Sequence, residues 1–312
     1  MKPKIIAYPG LGAFEALFAP HYDLLKLPTD PDARAAVLRE EGGRVEAAVV
    51  IGSIGLPAPI MAALPNLKLI AAFGVGYDGV DLDTAKARGI AVTNCPNINH
   101  EDVADVAMGL ILSCARRIAE GDRLVRAGGW TSPVAFPPPK RLSARKLGIV
   151  GLGAIGEAIA RRGEAFGMEI AWTGPRPKDA KWRYESDLHA LATWADVLAL
   201  ALRPDPGTEK MIDARILKAL GSDGMLVNVS RGSVVDEDAL IAALKAGTLG
   251  SAGLDVFETE PSPAARWRDV PNTTLTPHFG GGTRESILAS AQLVLENMRR
   301  HFAGEALATR VV

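Results

Sequence analysis

Residues Lys146 to Trp172 constrain the fold of this chain more than any other stretch. A strand-like apolar run, Leu147–Val150, leads into Gly151-x-Gly153-x-x-Gly156. A helical pattern follows over 155–166, and then a second strand-like run, Glu169–Trp172. In that setting each glycine has its own task. Gly151 permits the tight turn, Gly153 lets the backbone approach a pyrophosphate, and Gly156 lets helix and strand pack closely. The pyrophosphate would rest on free amides at the helix N-terminus, where the helix dipole favours an anion. Leu152, Ala154 and Ile155 lie within the same turn and join the expected cofactor contacts. Without the flanking strands and helix, the same glycines would indicate only a turn.

The rest of the chain repeats the theme. Short apolar runs alternate with helical patterns: Lys4–Tyr8, Ala47–Ile51, Leu67–Ala72, Ile90–Thr93, Val197–Leu202, Met225–Val229 and Gly250–Leu254 read as strands, and 32–40, 82–88, 236–246 and 284–302 as helices. Alternation of this kind predicts an α/β fold with mainly parallel sheets. A length of 312 residues suggests about two domains. The fingerprint normally occupies the first βα turn of its domain, so the residues before it must form another unit. Asn94-Cys95-Pro96-Asn97-Ile98-Asn99 punctuates the chain, and Asn99 resembles the cap of a long helix to about Arg117. The predicted architecture is two Rossmann-like, doubly wound parallel-sheet domains with an interdomain active-site cleft. The substrate domain is discontinuous, 1–98 plus 283–312, and encloses a dinucleotide-binding domain, 99–282.

Four further segments carry residues suited to chemistry. Phe73-Gly74-Val75-Gly76-Tyr77-Asp78-Gly79 follows a strand, and its glycines permit a nest of amides for a small anion such as a carboxylate. A tight turn would look the same. Leu226-Val227-Asn228-Val229-Ser230-Arg231-Gly232 places an arginine at the carboxyl end of a strand, where an open α/β sheet binds ligands. Its planar fork can hold a carboxylate by two bonds, although an isolated surface arginine would leave the same trace. Gly253-Leu254-Asp255-Val256-Phe257-Glu258-Thr259-Glu260-Pro261 sets three acids after a strand; alone it could be a solvated acidic loop. Thr276-Pro277-His278-Phe279-Gly280-Gly281 confines His278 between a proline and a Gly-Gly turn, unlike His21, His100, His189 and His301. Histidine is the usual proton donor near neutral pH, and a partner carboxylate favours its charged form.

Taken together, Gly-Leu-Gly-Ala-Ile-Gly, Ser-Arg-Gly-Ser-Val-Val-Asp, Leu-Asp-Val-Phe-Glu-x-Glu-Pro and Thr-Pro-His resemble the D-isomer-specific 2-hydroxyacid dehydrogenase family, in order, spacing and over essentially the whole chain. The resemblance implies hydride transfer between a nicotinamide cofactor and a 2-oxo or 2-hydroxy acid, usually in a homodimer. It implies substrate clamping by Arg231, acid/base work by His278 and orientation of that histidine by Glu260. Asp255 would meet the nicotinamide carboxamide. The Val75 and Gly76 amides would meet the substrate carboxylate, with Ile54 beside them. Cofactor contacts are also expected from Leu202, Arg203, Thr208, Val229, Ser230 and Gly280. Within the family the chain is similar to the glyoxylate/hydroxypyruvate reductase branch, through Ala171-Trp172-Thr173-Gly174-Pro175-Arg176-Pro177-Lys178 and Ala127-Gly128-Gly129-Trp130-Thr131-Ser132. The second of these loops commonly sends a tryptophan into the partner subunit's site; here Pro133 stands near that place and Phe136 follows.

About 20 residues past the fingerprint, an NAD enzyme carries an acid for the ribose 2′-hydroxyl. Here Trp172-Thr173-Gly174 stands instead. Thr173 can bond a phosphate, and Arg176 and Lys178 can neutralise it, so NADP(H) is preferred, with NAD(H) possible. Larger, phenylpyruvate-type acids and sugar acids compete with glyoxylate and hydroxypyruvate as substrates. Formate chemistry is disfavoured because Gln stands in that family where this chain has Glu260. A regulatory domain like that of many phosphoglycerate dehydrogenases is not expected so soon before Val312. A nucleotide-sensing corepressor of the same superfamily would keep the same motifs. A net charge of −1 gives no reason to expect nucleic acid or an acidic membrane as partner. Two cysteines, Cys95 and Cys114, make neither a disulfide framework nor a metal cluster and read as small buried residues. No leader is evident, and no apolar run reaches the ~18–20 residues that span a bilayer. A cytoplasmic protein is the expectation.

Overall fold

The structure is a computed structural model that describes residues 2–132, 136 and 138–312. It divides into two compact units, Met1–Asn99 with Gly282–Val312, and His100–Gly281.

The first unit is a five-stranded parallel sheet: β1 (Lys4–Tyr8), β2 (Asp23–Leu25), β3 (Val45–Ile51), β4 (Leu69–Phe73) and β5 (Ala91–Thr93), in the order β2-β1-β3-β4-β5. Its strands are apolar at nearly every position because both faces are covered. Ile6, Ala48, Val50, Ile70 and Ala72 face one core; Ile5, Ala47, Val49, Leu69 and Ala71 face the other. Into the second core the helix Arg284–Ala303 returns Val294 and Met298. That helix starts on a Thr283 cap, whose hydroxyl accepts from Ser286 N–H at 3.1 Å, and stops at Gly304 in the left-handed conformation.

The second unit is a seven-stranded parallel sheet: β6 (Lys146–Val150), β7 (Glu169–Thr173), β8 (Arg183–Tyr184), β9 (Val197–Leu200), β10 (Met225–Asn228), β11 (Ser251–Leu254) and β12 (Thr273–Leu275), ordered β12-β11-β10-β9-β6-β7-β8. The same period-two split recurs. Ile149, Val197, Ala199 and Val227 pack toward the helix His100–Arg116, while Val150, Leu198, Leu200 and Leu226 pack on the opposite side. The chain enters the sheet at its middle, winds outward through β7 and β8, then returns beside β6 at β9. Strand order therefore reverses between β6 and β9, the position where such sheets bind ligands at their carboxyl ends.

Sequence periodicity marks nine of these strands. The other three, β2, β8 and β12, are two or three residues long and lie at sheet edges. Unlike the equally short β5, which ends the apolar run Ile90–Thr93, none of the three lies in an apolar run like those read as strands. Pro133 and Pro137 lie outside the described residues, so the loop reading at 133–137 concerns the sequence alone.

Candidate active site

Register places the chemistry-bearing residues side by side. β10, β11 and β12 run parallel with Asn228 opposite Leu254 and Leu254 opposite Leu275. Arg231 leaves the carboxyl end of β10, Asp255–Glu260 that of β11, and His278 that of β12. Three loops thus emerge from adjacent strand ends on one edge of the second unit.

Local contacts shape each loop. The Asn228 side chain accepts from Ser230 N–H at 3.0 Å and donates to Arg231 O at 2.9 Å, folding the turn that carries the arginine. Arg231 Nη1 donates to Ser230 O at 2.8 Å. Gly232 has no room for a side chain: a Cβ there would lie 1.8 Å from the Phe257 carbonyl carbon. The β10 and β11 loops are therefore in backbone contact, which only glycine allows.

His278 sits in the left-handed region at φ 51, a conformation uncommon outside glycine and tolerated better by His than by most residues. The Asp255 carboxylate, 2 % exposed, builds that turn. It accepts from Thr276 Oγ1 at 2.6 Å, Phe279 N–H at 3.1 Å and Gly280 N–H at 2.9 Å. Of about four acceptor positions on a carboxylate, three are engaged by the protein. Asp255, expected at the nicotinamide carboxamide, is seen here shaping the histidine's own backbone.

Glu260 Oε2 lies 2.6 Å from His278 Nδ1, and Glu260 Oε1 accepts from Phe257 N–H at 2.9 Å. Burial pushes the Glu260 carboxyl up. The hydrogen bonds from His278 and Phe257, with the nearby charges of His278 and Arg231, outweigh it and hold the pKa below the usual carboxylate value. Among the described residues His278 Nε2 makes no hydrogen bond, whereas Nδ1 is held by Glu260.

The glycine turn has the geometry of an anion site. Gly151 is left-handed at φ 92, and a Cβ on it would meet Leu202 Cα at 2.6 Å. A Cβ on Gly156 would meet Gly151 O at 2.1 Å, whereas one on Gly153 would meet nothing within 4 Å. The helix Ala154–Ala165 begins without a side-chain cap. Among the described residues the Gly153, Ala154 and Ile155 amides donate no hydrogen bond, so the first turn is open to a ligand. Ser230 Oγ is buried with no partner there. A buried orphan hydroxyl and an uncapped helix both fit a bound dinucleotide.

At the end of β7, Thr173 is buried and Arg176 is exposed with no hydrogen-bond or ion-pair partner among the described residues. Lys178 differs from expectation. Its ammonium turns back onto Leu152 O and Glu157 Oε1, the latter at 2.5 Å. A carbonyl and a carboxylate at hand satisfy its charge, so it is committed to the fingerprint turn instead of standing free for a phosphate. Leu202 packs on Gly151. Arg203 is exposed, and Val229 is buried at the end of β10. The Thr208 hydroxyl accepts from Asp205 N–H and donates to Asp205 O, both at 2.8 Å, and so caps its own turn.

In the first unit, Gly79 N–H donates to Gly52 O at 3.0 Å, and Cβ atoms on Gly52 and Gly55 would lie 1.7 Å from Gly76 O and 1.6 Å from Gly79 O. These contacts press the Ile54 loop onto the Val75–Gly76 loop. Val75 O accepts from Asn94 Nδ2 at 2.8 Å. The Val75 and Gly76 N–H groups have no partner among the described residues. Ile54 is exposed.

Cys95 is buried and Cys114 half-buried, both as free thiols. Burial pushes the Cys114 thiol up to about 11, which makes it inert. Among the described residues no helix is long and apolar enough to cross a membrane, and no group of three or more His, Cys, Asp or Glu side chains could hold a metal ion.

Comparison with known proteins shows the family. The family model described as "D-isomer specific 2-hydroxyacid dehydrogenase, NAD binding domain" matches residues 108–280. The chain belongs to the D-isomer-specific 2-hydroxyacid dehydrogenase family. Within that family it is 44% identical over 262 residues to the 2-ketogluconate reductase of Gluconobacter oxydans, covering 84% of each chain. It is 41% identical to the glyoxylate/hydroxypyruvate reductase A HPR2 of Arabidopsis thaliana, covering 93% of each. Among solved structures it is similar to the NADPH-dependent glyoxylate/hydroxypyruvate reductase from Sinorhizobium meliloti in complex with NADP and malonate, with a TM-score of 0.91, 38% identity, and coverage of 100% of this chain and 97% of that one. This dehydrogenase is thus an oxidoreductase with a nicotinamide-dinucleotide-binding domain.

Sequence reasoning passed over two carboxylate functions in this dehydrogenase. One is the bond set of Asp255 described above. The other is Glu237, which directly follows the Ser230–Asp236 motif but draws attention only through its burial.

Proposed function

We propose that this dehydrogenase reduces a small 2-oxo acid to the D-2-hydroxy acid with NADPH, glyoxylate and hydroxypyruvate being the preferred substrates. The observation that carries this reading is the Glu260–His278 contact of 2.6 Å, with Arg231 on the loop that follows neighbouring β10. It unites a proton donor, the carboxylate that orients it and a cation suited to an oxyanion.

The residues divide the work as follows. The amides of the Gly151–Gly156 turn, with Ser230, would hold the dinucleotide, and Arg176 with Thr173 its 2′-phosphate. Bound reduced nicotinamide supplies the hydride. Arg231 holds the carboxylate of the acid and polarises its ketone. His278, held at Nδ1 by Glu260, gives the proton on Nε2 to the developing alkoxide oxygen. The Val75 and Gly76 amides, without protein partners, are suited to a carboxylate, with Ile54 as their apolar neighbour.

NADPH is favoured because no acid stands at the end of β7 to repel a 2′-phosphate, and because Arg176 is available for one. The NADPH-dependent relative from Sinorhizobium meliloti supports the same choice. A homodimer also fits. The helix Ile118–Arg126 buries no residue, and Ile118, Val125 and Trp130 are exposed large apolar side chains that a second copy would cover. Its mass in solution, by light scattering, tests that point.

A competing reading is a sugar acid as substrate, favoured by the 44% identity to 2-ketogluconate reductase. Loss of reduced-nicotinamide absorbance, measured for NADPH and NADH against glyoxylate, hydroxypyruvate, pyruvate, phenylpyruvate and 2-ketogluconate, decides between them. The expected result is the highest kcat/KM for NADPH with glyoxylate or hydroxypyruvate. Absence of turnover with every pair would overturn the assignment.

A further inference from the structure

Glu237 is 3 % exposed, a degree of burial that an acid tolerates only with partners. It has one at each oxygen. Oε1 accepts from Glu258 N–H at 2.5 Å, and Oε2 accepts from Arg266 Nε at 2.7 Å. Arg266 Nη2 in turn donates to Asp238 at 2.9 Å.

These partners have a particular place in the chain. Glu258 and Arg266 bracket the segment that carries Glu260. One carboxylate therefore ties both ends of that loop to the start of the helix Glu237–Lys245, which directly follows the Arg231 turn. Other contacts stiffen the same loop. Phe257 N–H reaches Glu260, the Phe257 ring meets the Trp267 ring edge-on with centroids 5.7 Å apart, and Trp267 Nε1 donates to Ser262 Oγ at 3.0 Å. A buried ion pair contributes little net stability compared with apolar replacement, so geometry is the better explanation for this one.

We infer that Glu237 is a positioning residue: by stapling the Glu258–Arg266 loop to the Arg231 segment, it sets the Glu260 carboxylate against the His278 ring. The inference rests on the proposed reductase mechanism, because it assigns Glu237 a role in orienting that proton donor.

Three variants of the full chain test it: Glu237→Gln, which sets an amide against Arg266; Arg266→Met, which cuts one arm of the staple and leaves the Glu258 bond; and Asp238→Asn as an exposed control. Amide hydrogen exchange reads the loop, steady-state kinetics read the reaction, and NADPH fluorescence titration reads the nucleotide site. In the first two variants, peptides over 255–266 should exchange faster while those over 151–156 do not. Their kcat should fall by about 10- to 100-fold with KM for NADPH unchanged, and Asp238→Asn should match the wild type in all three. Should Glu237→Gln fail to fold, Arg266→Met carries the same test. Wild-type kcat in a folded variant with a loosened 255–266 loop overturns the inference, and so does an unchanged exchange pattern. A wild-type chain that turns over no 2-oxo acid overturns the proposed function instead, and the exchange comparison still judges the staple.

Discussion

Glu260 and His278 meet at 2.6 Å, Oε2 to Nδ1, across 18 residues of chain that include the whole of β12. The contact commits Nδ1 to the carboxylate. Under the proposed function, Nε2 is then the nitrogen that exchanges a proton with substrate.

Replacing that imidazole should cost turnover and little else. His278→Asn is expected to reduce kcat by about 10²–10⁴ while NADPH affinity, read by fluorescence titration, stays close to wild type. Undiminished turnover would remove His278 from the mechanism.

The depressed Glu260 pKa predicts a pH-dependent stability term. Burial raises this carboxyl, but His278, Phe257 N–H and Arg231 together bring it below its ordinary value. A carboxyl depressed in the folded state adds stability that is present above the unfolded pKa, roughly 4.3 for Glu, and is lost as pH falls through the lower folded value. Thermal melts of wild type and Glu260→Gln should differ at neutral pH, and the gap should close below about pH 4. A gap independent of pH would contradict the assignment.

Gly232→Ala tests the contact between the β10 and β11 loops. Its Cβ would fall 1.8 Å from the Phe257 carbonyl carbon, and that obstacle is backbone. Overpacking of this kind costs about 1–3 kcal/mol, visible as a lower Tm, and separating the two loops should lower kcat as well. An unchanged melt would show that the loops can part without cost.

Arg176 should matter to one cofactor only. Arg176→Ala is expected to raise KM for NADPH about tenfold or more, the scale of one charge-assisted hydrogen bond, and to leave KM for NADH unchanged. Equal effects on both cofactors would detach Arg176 from the 2′-phosphate. Lys178→Met should differ, since its ammonium already serves Leu152 O and Glu157. It should loosen both nucleotides together.

Much of this molecule was legible in its residues. The Gly151–Gly156 fingerprint, the apolar strand runs and the Arg231, Glu260 and His278 motifs depend on local residue type and spacing, and those three residues do lie on loops that leave adjacent strand ends. The edge strands β2, β8 and β12 were not legible, because their few residues lie in no apolar run of the kind that marked β5. Lys178 looked like a phosphate ligand because its rival partners, Leu152 and Glu157, are 26 and 21 residues away.

What the chain determined by itself was its alternation of strand and helix and its family, because backbone preference and motif spacing are properties of neighbours in sequence. The family resemblance already paired Glu260 with His278, and the two meet at 2.6 Å. Only the tertiary structure showed what the other two acids bond: Asp255 builds the histidine turn, and Glu237 closes the Glu260 loop. Each of those bonds joins residues 18 to 29 positions apart, and a buried acid takes whichever donors packing brings within reach.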